Sequence, residues 1–193
     1  MSPCGSSTTL GAVRLFVAVW PPESVVELLL GLDRPEVESL RWTTEQQWHV
    51  TLRFLGEVDA PAPVVDALRG VPDALVEAGV GEVRAALGPT TAWFPGRQVL
   101  QAPVTGLDRL ARGVLEASAP WADARDDHRF SGHLTLARVR GRARGPASLA
   151  GVSLVTTWQV RAFELVSSVL GPGGARYDTV ATVSLPAPTV SKP

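Results

Sequence analysis

Two short stretches of the chain share the pattern His-x-Thr-Leu, which places a histidine two residues before a threonine. They are His49-Val50-Thr51-Leu52 and His133-Leu134-Thr135-Leu136. A histidine can give or take a proton near neutral pH, and a threonine hydroxyl can donate a hydrogen bond to a phosphoryl oxygen. Two such pairs around one phosphorus atom would divide the acid and base roles. The pattern predicts metal-free acid–base catalysis by the two histidines, with both threonines binding the phosphoryl group.

Each motif lies in a segment whose alternation is typical of a β-strand. Side chains alternate across a strand, so His49 and Thr51 project to one face while Val50 and Leu52 project to the other. The same parity places Phe54 on the apolar face and Arg53 on the face of His49, and it pairs His133 with Thr135. Two similar lobes that bring these strands side by side would collect the four polar side chains in one cleft.

The remaining pattern predicts strands that outnumber helices. We expect helices over residues 22–32, 61–78 (interrupted near Gly70) and 106–118, and strands over 14–20, 49–55, 82–87, 98–102, 133–139, 158–170 and 176–185. The turn Gly171-Pro172-Gly173-Gly174 separates the last two strands and favours antiparallel pairing. This indicates an α+β fold whose antiparallel sheets line a central cleft, with helices outside. We expect one bilobal domain over 11–185 and flexible termini at 1–10 and 186–193.

Composition limits the function classes. Of 193 residues, 45% are hydrophobic and 19% charged, which favours a compact core. The net charge of −1 excludes a generally basic nucleic-acid binder but permits a local phosphate site. The single Cys4 excludes an internal disulfide or a zinc module. The longest early apolar run, Leu15 to Trp20, is too short for a membrane span. Residues 1–10 contain no Lys or Arg and so lack the basic region of a signal peptide. We therefore expect a soluble cytoplasmic protein.

Other enzyme classes lack their motifs. The glycine-rich turn at 171–174 is not followed by Gly-Lys-Ser/Thr, which excludes a P-loop. The chain has no His-Glu-x-x-His sequence, and Ser131 lacks the Gly-x-Ser-x-Gly setting of a nucleophile elbow. Acid–base chemistry at phosphorus by the two histidines remains.

The two motifs and their surroundings resemble the 2H phosphoesterases, and most closely the bacterial and archaeal RNA 2′,3′-cyclic phosphodiesterases once described as 2′-5′ RNA ligases. The similarity extends over the whole domain. It includes Arg14-Leu15-Phe16-Val17-Ala18, Arg41-Trp42, Phe54-Leu55-Gly56-Glu57-Val58, Ala137-Arg138-Val139-Arg140, Phe163-Glu164-Leu165, Ser168 and Tyr177.

The resemblance implies a two-lobed LigT-like fold and hydrolysis of RNA or nucleoside 2′,3′-cyclic phosphate to the 2′-phosphate, without a cofactor. In some members it also implies ATP-independent 2′-5′ RNA ligation. By position, His49 is similar to the proton donor to the departing 3′-oxygen and His133 to the base on water. Arg138 resembles the family's phosphate-contacting arginine, and the resemblance favours a monomer.

The substrate-binding residues are less determined. Phe16 resembles a family position that can stack the nucleobase, although periodicity alone suits a core residue equally, and Trp42 is our expectation for the rim of the cleft. Strict alternation aims Arg138 away from His133, and a strand end or a β-bulge near Ala137 would resolve this. Arg53 has the right parity by spacing, so both arginines are retained as candidate phosphate contacts.

One departure from the family and one rival function complete the sequence-based expectations. Relatives usually read Phe-x-Pro-His where this chain reads Phe130-Ser131-Gly132-His133, so we expect His133 to be held less firmly. That departure leaves room for a nucleotide- or RNA-binding module of the same fold with weak or no turnover. His128 lies in a polar stretch that we interpret as a solvated loop. The arginines at 138, 140, 142 and 144 suit a solvated edge or an RNA guide.

Overall fold

The computed structural model describes residues 12–121, 129–171 and 174–186. The predictions made for residues 1–10 and for His128 lie outside the described residues, as do those for the tail beyond Pro186. The division into a single bilobal domain over 11–185 stays a prediction.

The described residues form strands and short helices in an order close to that expected. The strands are β1 Val13–Val19, β2 Leu40–Trp42, β3 Val50–Val58, β4 Arg84–Leu87, β5 Ala92–Trp93, β6 Val99–Thr105, β7 His133–Val139, β8 Thr156–Gln159, β9 Ala162–Gly171 and β10 Gly174–Ser184. The α-helices are α1 Glu23–Leu30, α2 Pro61–Leu68, α3 Val71–Glu77 and α4 Asp108–Ala117. Single 3₁₀ turns occur at Glu45–Gln47, Ala119–Trp121 and Ala147–Leu149.

The helix bounds follow from local sequence. Pro22 is the N-cap of α1, where a missing backbone N–H costs no helical hydrogen bond, and Val25 and Leu29, four residues apart, are both buried. Gly70 separates α2 from α3, as the interruption in the pattern predicts. None of the helices in the described ranges is long and apolar enough to span a membrane.

The strands form one curved antiparallel sheet with the order β10-β9-β1-β3-β7-β6-β4-β8, and β2 and β5 add to β7 and β6. The unit β1-α1-β3 in one half corresponds to β6-α4-β7 in the other, and each half contributes four strands to this order. The predicted α+β fold, with two similar halves and antiparallel strands around a cleft, is confirmed.

The core packs against both faces of the central strands. Leu15, Val17 and Val19 of β1 point into the main core beside the helices. Phe16 and Ala18, between them, belong to a second, smaller cluster with Val166, against which Trp20 and Tyr177 pack. Strand β1 is therefore buried on both sides, which is why it reads as a continuous apolar run.

One expected strand is wrong in detail, and two short strands were not predicted. The single strand expected over 158–170 is two strands, because the chain leaves β8 at one edge of the sheet and re-enters as β9, the second strand from the opposite edge. Backbone hydrogen bonds from Val160 to Val83 and from Leu185 to Arg161 hold this crossing. A continuous strand-like pattern over residues 158–170 does not reveal such a change of partner. Strands β2 and β5 have three and two residues, too few for a period to be recognised.

Candidate active site

The two motif strands meet at one pair of residues in the middle of the sheet, where Val50 of β3 pairs with Leu134 of β7. Both side chains are fully buried in the main core. Continuing this antiparallel register by one residue in each direction places His49 opposite Thr135 and Thr51 opposite His133. The two histidines and two threonines line the same cavity of about 430 Å³. The structure thus brings together the four residues that the repeated pattern predicts.

Each imidazole is oriented by the backbone two residues before it. His49 Nδ1 is 2.9 Å from the carbonyl oxygen of Gln47, and His133 Nδ1 is 2.8 Å from that of Ser131. A carbonyl oxygen only accepts, so Nδ1 carries the donated proton and Nε2 is the nitrogen left for proton transfer. His133 keeps the same backbone contact as His49 despite the preceding Ser131 and Gly132, and the expectation that it is held less firmly stays a prediction.

Gly132 makes this arrangement possible by close packing. Its carbonyl oxygen accepts a hydrogen bond of 2.8 Å from the backbone N–H of Val104, and a Cβ at Gly132 would collide with the Val104 carbonyl oxygen. The absence of a side chain lets the approach to β7 lie directly against β6. Glycine is therefore required at position 132 because any side chain would collide with β6.

Both histidines of the free protein are neutral near pH 7, because the pKa of each is lowered from 6.5. Burial lowers the pKa of His49 from 6.5 to about 4, and the positive charges of His133 and Arg138 contribute in the same direction against the hydrogen bond to Gln47. Burial also lowers the pKa of His133, with a further contribution from Arg138. A bound anion acts with the opposite sign, because its negative charge favours the imidazolium form.

Aromatic side chains enclose the two imidazoles unequally. The His49 ring centroid lies 4.9 Å from Phe16, 5.4 Å from Trp20 and 5.0 Å from Tyr177. The His133 ring has an edge contact with Phe94 at 4.8 Å. The three rings around His49 displace water, which is the physical origin of its strongly lowered pKa.

Glu164 on β9 holds part of this aromatic wall. The indole Nε1 of Trp20 donates a hydrogen bond of 2.7 Å to a carboxylate oxygen of Glu164, which also accepts one of 2.7 Å from the Thr179 hydroxyl. The carboxylate fixes the ring that packs edge-on against His49.

A β-bulge in β3 changes which side chains face the cavity after Thr51. Thr51 pairs with Ala18 and Arg53 with Val17, so Leu52 is an extra residue on β3. Phe54, 49% exposed, consequently lines the cavity. Arg53 turns away, is 7% exposed, and donates hydrogen bonds to the Leu115 carbonyl and the Ser118 hydroxyl at the end of α4. The predictions that Arg53 faces the cleft and that Phe54 does not are both wrong, since they assumed unbroken alternation.

Strand β7 contains the same irregularity at the equivalent position. Thr135 pairs with Gln101 and Ala137 with Leu100, which leaves Leu136 as the extra residue. Ala137 is buried and Arg138 lines the cavity. Of the two alternatives that would let Arg138 face the cleft, a strand end or a bulge near Ala137, the structure has the bulge. Each motif is thus a His-x-Thr-Leu segment with a bulge at the leucine.

The other candidate residues are also placed by the structure. Phe16 is both a core and a cavity residue, because it is 2% exposed and yet lines the cavity floor. Trp42 lines the cavity as expected, and its Nε1 donates a hydrogen bond of 3.2 Å to the Pro35 carbonyl. The arginines beyond 138, at 140, 142 and 144, are exposed.

The sequence reading did not select Arg14, Arg41 or Tyr177 as site residues, although all three line the cavity. Arg14 lies two residues before Phe16, so strand parity alone could have placed it on the cleft face. Arg41 and Tyr177 come from a three-residue strand and a distant hairpin, and no spacing signal connects them to the histidines. Within residues 12–121, 129–171 and 174–186, no cluster of three or more His, Cys, Asp or Glu could hold a metal ion.

Comparison with known proteins gives consistent results. No family model matches the chain. A segment covering 50% of the chain is 31% identical over 104 residues to an RNA 2′,3′-cyclic phosphodiesterase of Geobacillus stearothermophilus, and it covers 32% of that protein, about a third of its length. The crystal structure of TT0787 of Thermus thermophilus is 30% identical, covers 89% of this chain and 97% of its own, and superposes with a TM-score of 0.72. Escherichia coli LigT in its apo form is 23% identical, with 92% and 99% coverage and a TM-score of 0.64, and it shares the fold.

Proposed function

Because the chain belongs to the 2H phosphoesterase family, we propose that it hydrolyses RNA or nucleoside 2′,3′-cyclic phosphates to 2′-phosphates by acid–base catalysis between His49 and His133. The observation that carries this proposal is the convergence of both His-x-Thr pairs in one cavity, with each Nδ1 hydrogen-bonded to the backbone. Two imidazole Nε2 atoms are then available on the same face of the sheet, with no carboxylate among the described lining residues.

The proposed reaction is a single displacement at phosphorus. His133 Nε2 accepts a proton from water as the water oxygen forms a bond to phosphorus. The bond between phosphorus and the 3′-oxygen breaks, and His49 Nε2 donates its proton to that oxygen, which leaves the phosphate on the 2′-oxygen. The exchange of one proton at each histidine balances the reaction, and transfer back through water restores the starting protonation.

The lowered pKa of His49 means that its role as the proton donor requires the bound substrate to protonate it. An imidazolium whose pKa lies near 4 in the free protein is a strong acid once formed. Binding of the anionic substrate raises the His49 pKa, so that the imidazole takes up a proton. This proton is transferred to the 3′-oxygen as that oxygen leaves. The step therefore depends on the substrate's own charge.

The remaining cavity residues suit the charge and shape of a nucleotide. The Thr51 and Thr135 hydroxyls can donate to the non-bridging phosphoryl oxygens, and the Arg138 guanidinium stabilises their charge. The exposed ring of Phe54 offers a better stacking surface for the base than Phe16, whose ring is covered. In 2′-5′ RNA ligation a 5′-hydroxyl would take the place of water, with His133 accepting its proton and His49 donating a proton to the departing 3′-oxygen.

The test is turnover of adenosine 2′,3′-cyclic phosphate and of a short RNA with a cyclic-phosphate end, in EDTA, with the product identified by ³¹P NMR. We expect adenosine 2′-phosphate from the wild type. We expect losses of about 10²–10⁴-fold in kcat for His49→Gln and His133→Gln. His128→Gln is the matched control, because it removes the remaining histidine of the chain. Binding of both compounds without turnover would favour the alternative, a binding module of the same fold.

A further inference from the structure

The backbone hydrogen bond of His49 does not by itself fix the direction of Nε2. The contact between Nδ1 and the Gln47 carbonyl leaves the imidazole able to swing about the line that joins these two atoms. Three aromatic rings restrict that motion, because Phe16, Trp20 and Tyr177 pack against the imidazole with centroid separations of 4.9, 5.4 and 5.0 Å. The alignment of Nε2 therefore depends on how firmly these rings are held.

Trp20 is the one of the three rings that lies outside a strand. Phe16 is 2% exposed in β1, and Tyr177 belongs to β10. Trp20 follows Val19, the last residue of β1, and is partly exposed. Its indole Nε1 donates a hydrogen bond of 2.7 Å to the Glu164 carboxylate, which ties the ring to β9. The position of Trp20 thus depends on Glu164.

The strands on both sides of β9 set the position of Glu164. It pairs with Thr182 of β10 and with Ala18 of β1. Ala18 pairs in turn with Thr51 of β3, which lines the cavity. Direct partners in antiparallel strands share a face, so Glu164 lies on the cleft face, two strands and about 10 Å from Thr51.

A β-bulge in β10 gives the carboxylate its other partners. Val180 is the extra residue, so Thr179 and Thr182 both lie on the face of Glu164. The Thr179 hydroxyl donates a hydrogen bond of 2.7 Å to the oxygen that also accepts from Trp20, and the Thr182 hydroxyl donates one of 3.4 Å to the other oxygen. Glu164 is thus anchored to β10 before it holds the indole ring.

Glu164 is connected to the reaction through the indole ring. Neither Glu164 nor Trp20 is among the described residues that line the cavity, so neither is placed to touch a substrate. The charges that act on the His49 imidazole are those of His133 and Arg138 on β7. The remaining connection is mechanical, from the carboxylate to the indole and from the indole to the imidazole.

We propose that Glu164 is a positioning residue for the general acid: by holding Trp20, it keeps the His49 imidazole aligned with the departing 3′-oxygen. This role rests on the proposed function for the reaction itself, and it adds a carboxylate outside the cavity to the machinery. An acid must lie within hydrogen-bond reach of the oxygen that it protonates, so a loosened ring slows the step in which that proton is donated.

The kinetic test compares kcat for adenosine 2′,3′-cyclic phosphate with kcat for its analogue carrying sulfur in place of the 3′-oxygen, each at the variant's own pH optimum. A thiolate leaves without a proton from the protein, so the sulfur compound does not need the acid. We expect Glu164→Leu and Trp20→Phe each to lose about tenfold in kcat with the oxygen compound and less than about twofold with the sulfur compound. Glu164→Gln keeps an acceptor oxygen for the indole and should behave as the wild type.

Two further variants separate positioning from a general structural effect. Glu82→Leu makes the same change at a carboxylate that pairs with Arg84, and it should leave both rates unchanged. The double variant Glu164→Leu/Trp20→Phe should be no slower than either single variant, because all three lack the same hydrogen bond. Equal losses with the oxygen and sulfur compounds, or wild-type kcat in Glu164→Leu, would overturn the inference.

NMR titration of the His49 ring measures the same coupling without turnover. A loosened Trp20 admits water, so the His49 pKa should rise from about 4 toward 6.5 in Glu164→Leu and Trp20→Phe and stay low in Glu164→Gln. The other titratable or charged groups that face His49, namely His133, Arg138 and Tyr177, are the same in every variant.

The two measurements distinguish the inference from the proposed function. An unchanged His49 pKa in Glu164→Leu would overturn the inference even if the cyclic phosphate is hydrolysed. No turnover by the wild type, combined with the expected rise in the His49 pKa, would overturn the proposed function and leave Glu164 as a residue that positions His49. No turnover and no rise would overturn both.

Discussion

Acidification should destabilise the protein through His49. The unfolded chain has the ordinary histidine pKa of 6.5, and burial in the folded protein lowers the His49 pKa to about 4. Between these values the unfolded state binds more protons, so the free energy of unfolding falls as the pH is lowered from 6.5 to 4. The His49 contribution to this loss is about 2 kcal/mol at pH 5 and about 3 kcal/mol below pH 4.

The comparison that isolates this contribution is His49→Gln, which keeps a neutral polar side chain that cannot titrate. Urea unfolding at pH 7.5 and pH 5 gives the pH-dependent loss of stability for each protein. We expect the variant to lose about 2 kcal/mol less than the wild type over this interval. His133, whose pKa is lowered in the same direction, still contributes in both proteins, and His128→Gln is the control for a general effect of removing a histidine. Equal losses in wild type and His49→Gln would refute the burial argument.

Three further predictions concern rate, packing and fold. The pH profile of kcat/KM in EDTA should be a bell centred below pH 6.5, because the pKa values of both histidines are lowered in the free protein. The optimum of kcat should lie at higher pH, because the bound anion raises both histidine pKa values. Coincident optima of kcat and kcat/KM would contradict this explanation. Gly132→Ala should destabilise the protein by about 1–3 kcal/mol in urea unfolding and lower kcat, since its Cβ meets the Val104 carbonyl, whereas Gly81→Ala has open space. Arg53→Met should lower stability by about 1–3 kcal/mol with kcat/KM unchanged, because Arg53 serves the end of α4 and not the cavity; a specific loss of kcat/KM would restore it as a cleft residue.

The repeated motif allowed the centre of the site to be predicted, because side-chain alternation is reliable over the three residues from His49 to Thr51. Alternation no longer predicts which side chains face the cavity after Thr51 and Thr135. The extra residues at Leu52 and Leu136 reverse the parity, and a bulge leaves no mark in the identity of its residues. Arg53 therefore could not be separated from Phe54 by spacing.

The resemblance identified Arg138 where spacing argued against it, because family position carries the effect of the bulge implicitly. Long-range pairing was the other limit. Arg41 reaches the cavity through the pairing of a three-residue strand with β7, and Tyr177 through the hairpin of β9 and β10. Such placements depend on contacts between residues far apart in the chain, which local periodicity does not encode.

The division of roles between the histidines can be measured with a substrate whose bridging 3′-oxygen is replaced by sulfur. A thiolate leaves without a proton from the protein, since a thiol pKa near 8.5 is far below that of an alcohol. With this substrate His49→Gln should recover most of the activity that it loses with the oxygen substrate, while His133→Gln should stay impaired by about 10²-fold or more. Recovery of His133→Gln instead, or of neither variant, would contradict the assignment of His49 as the acid and His133 as the base.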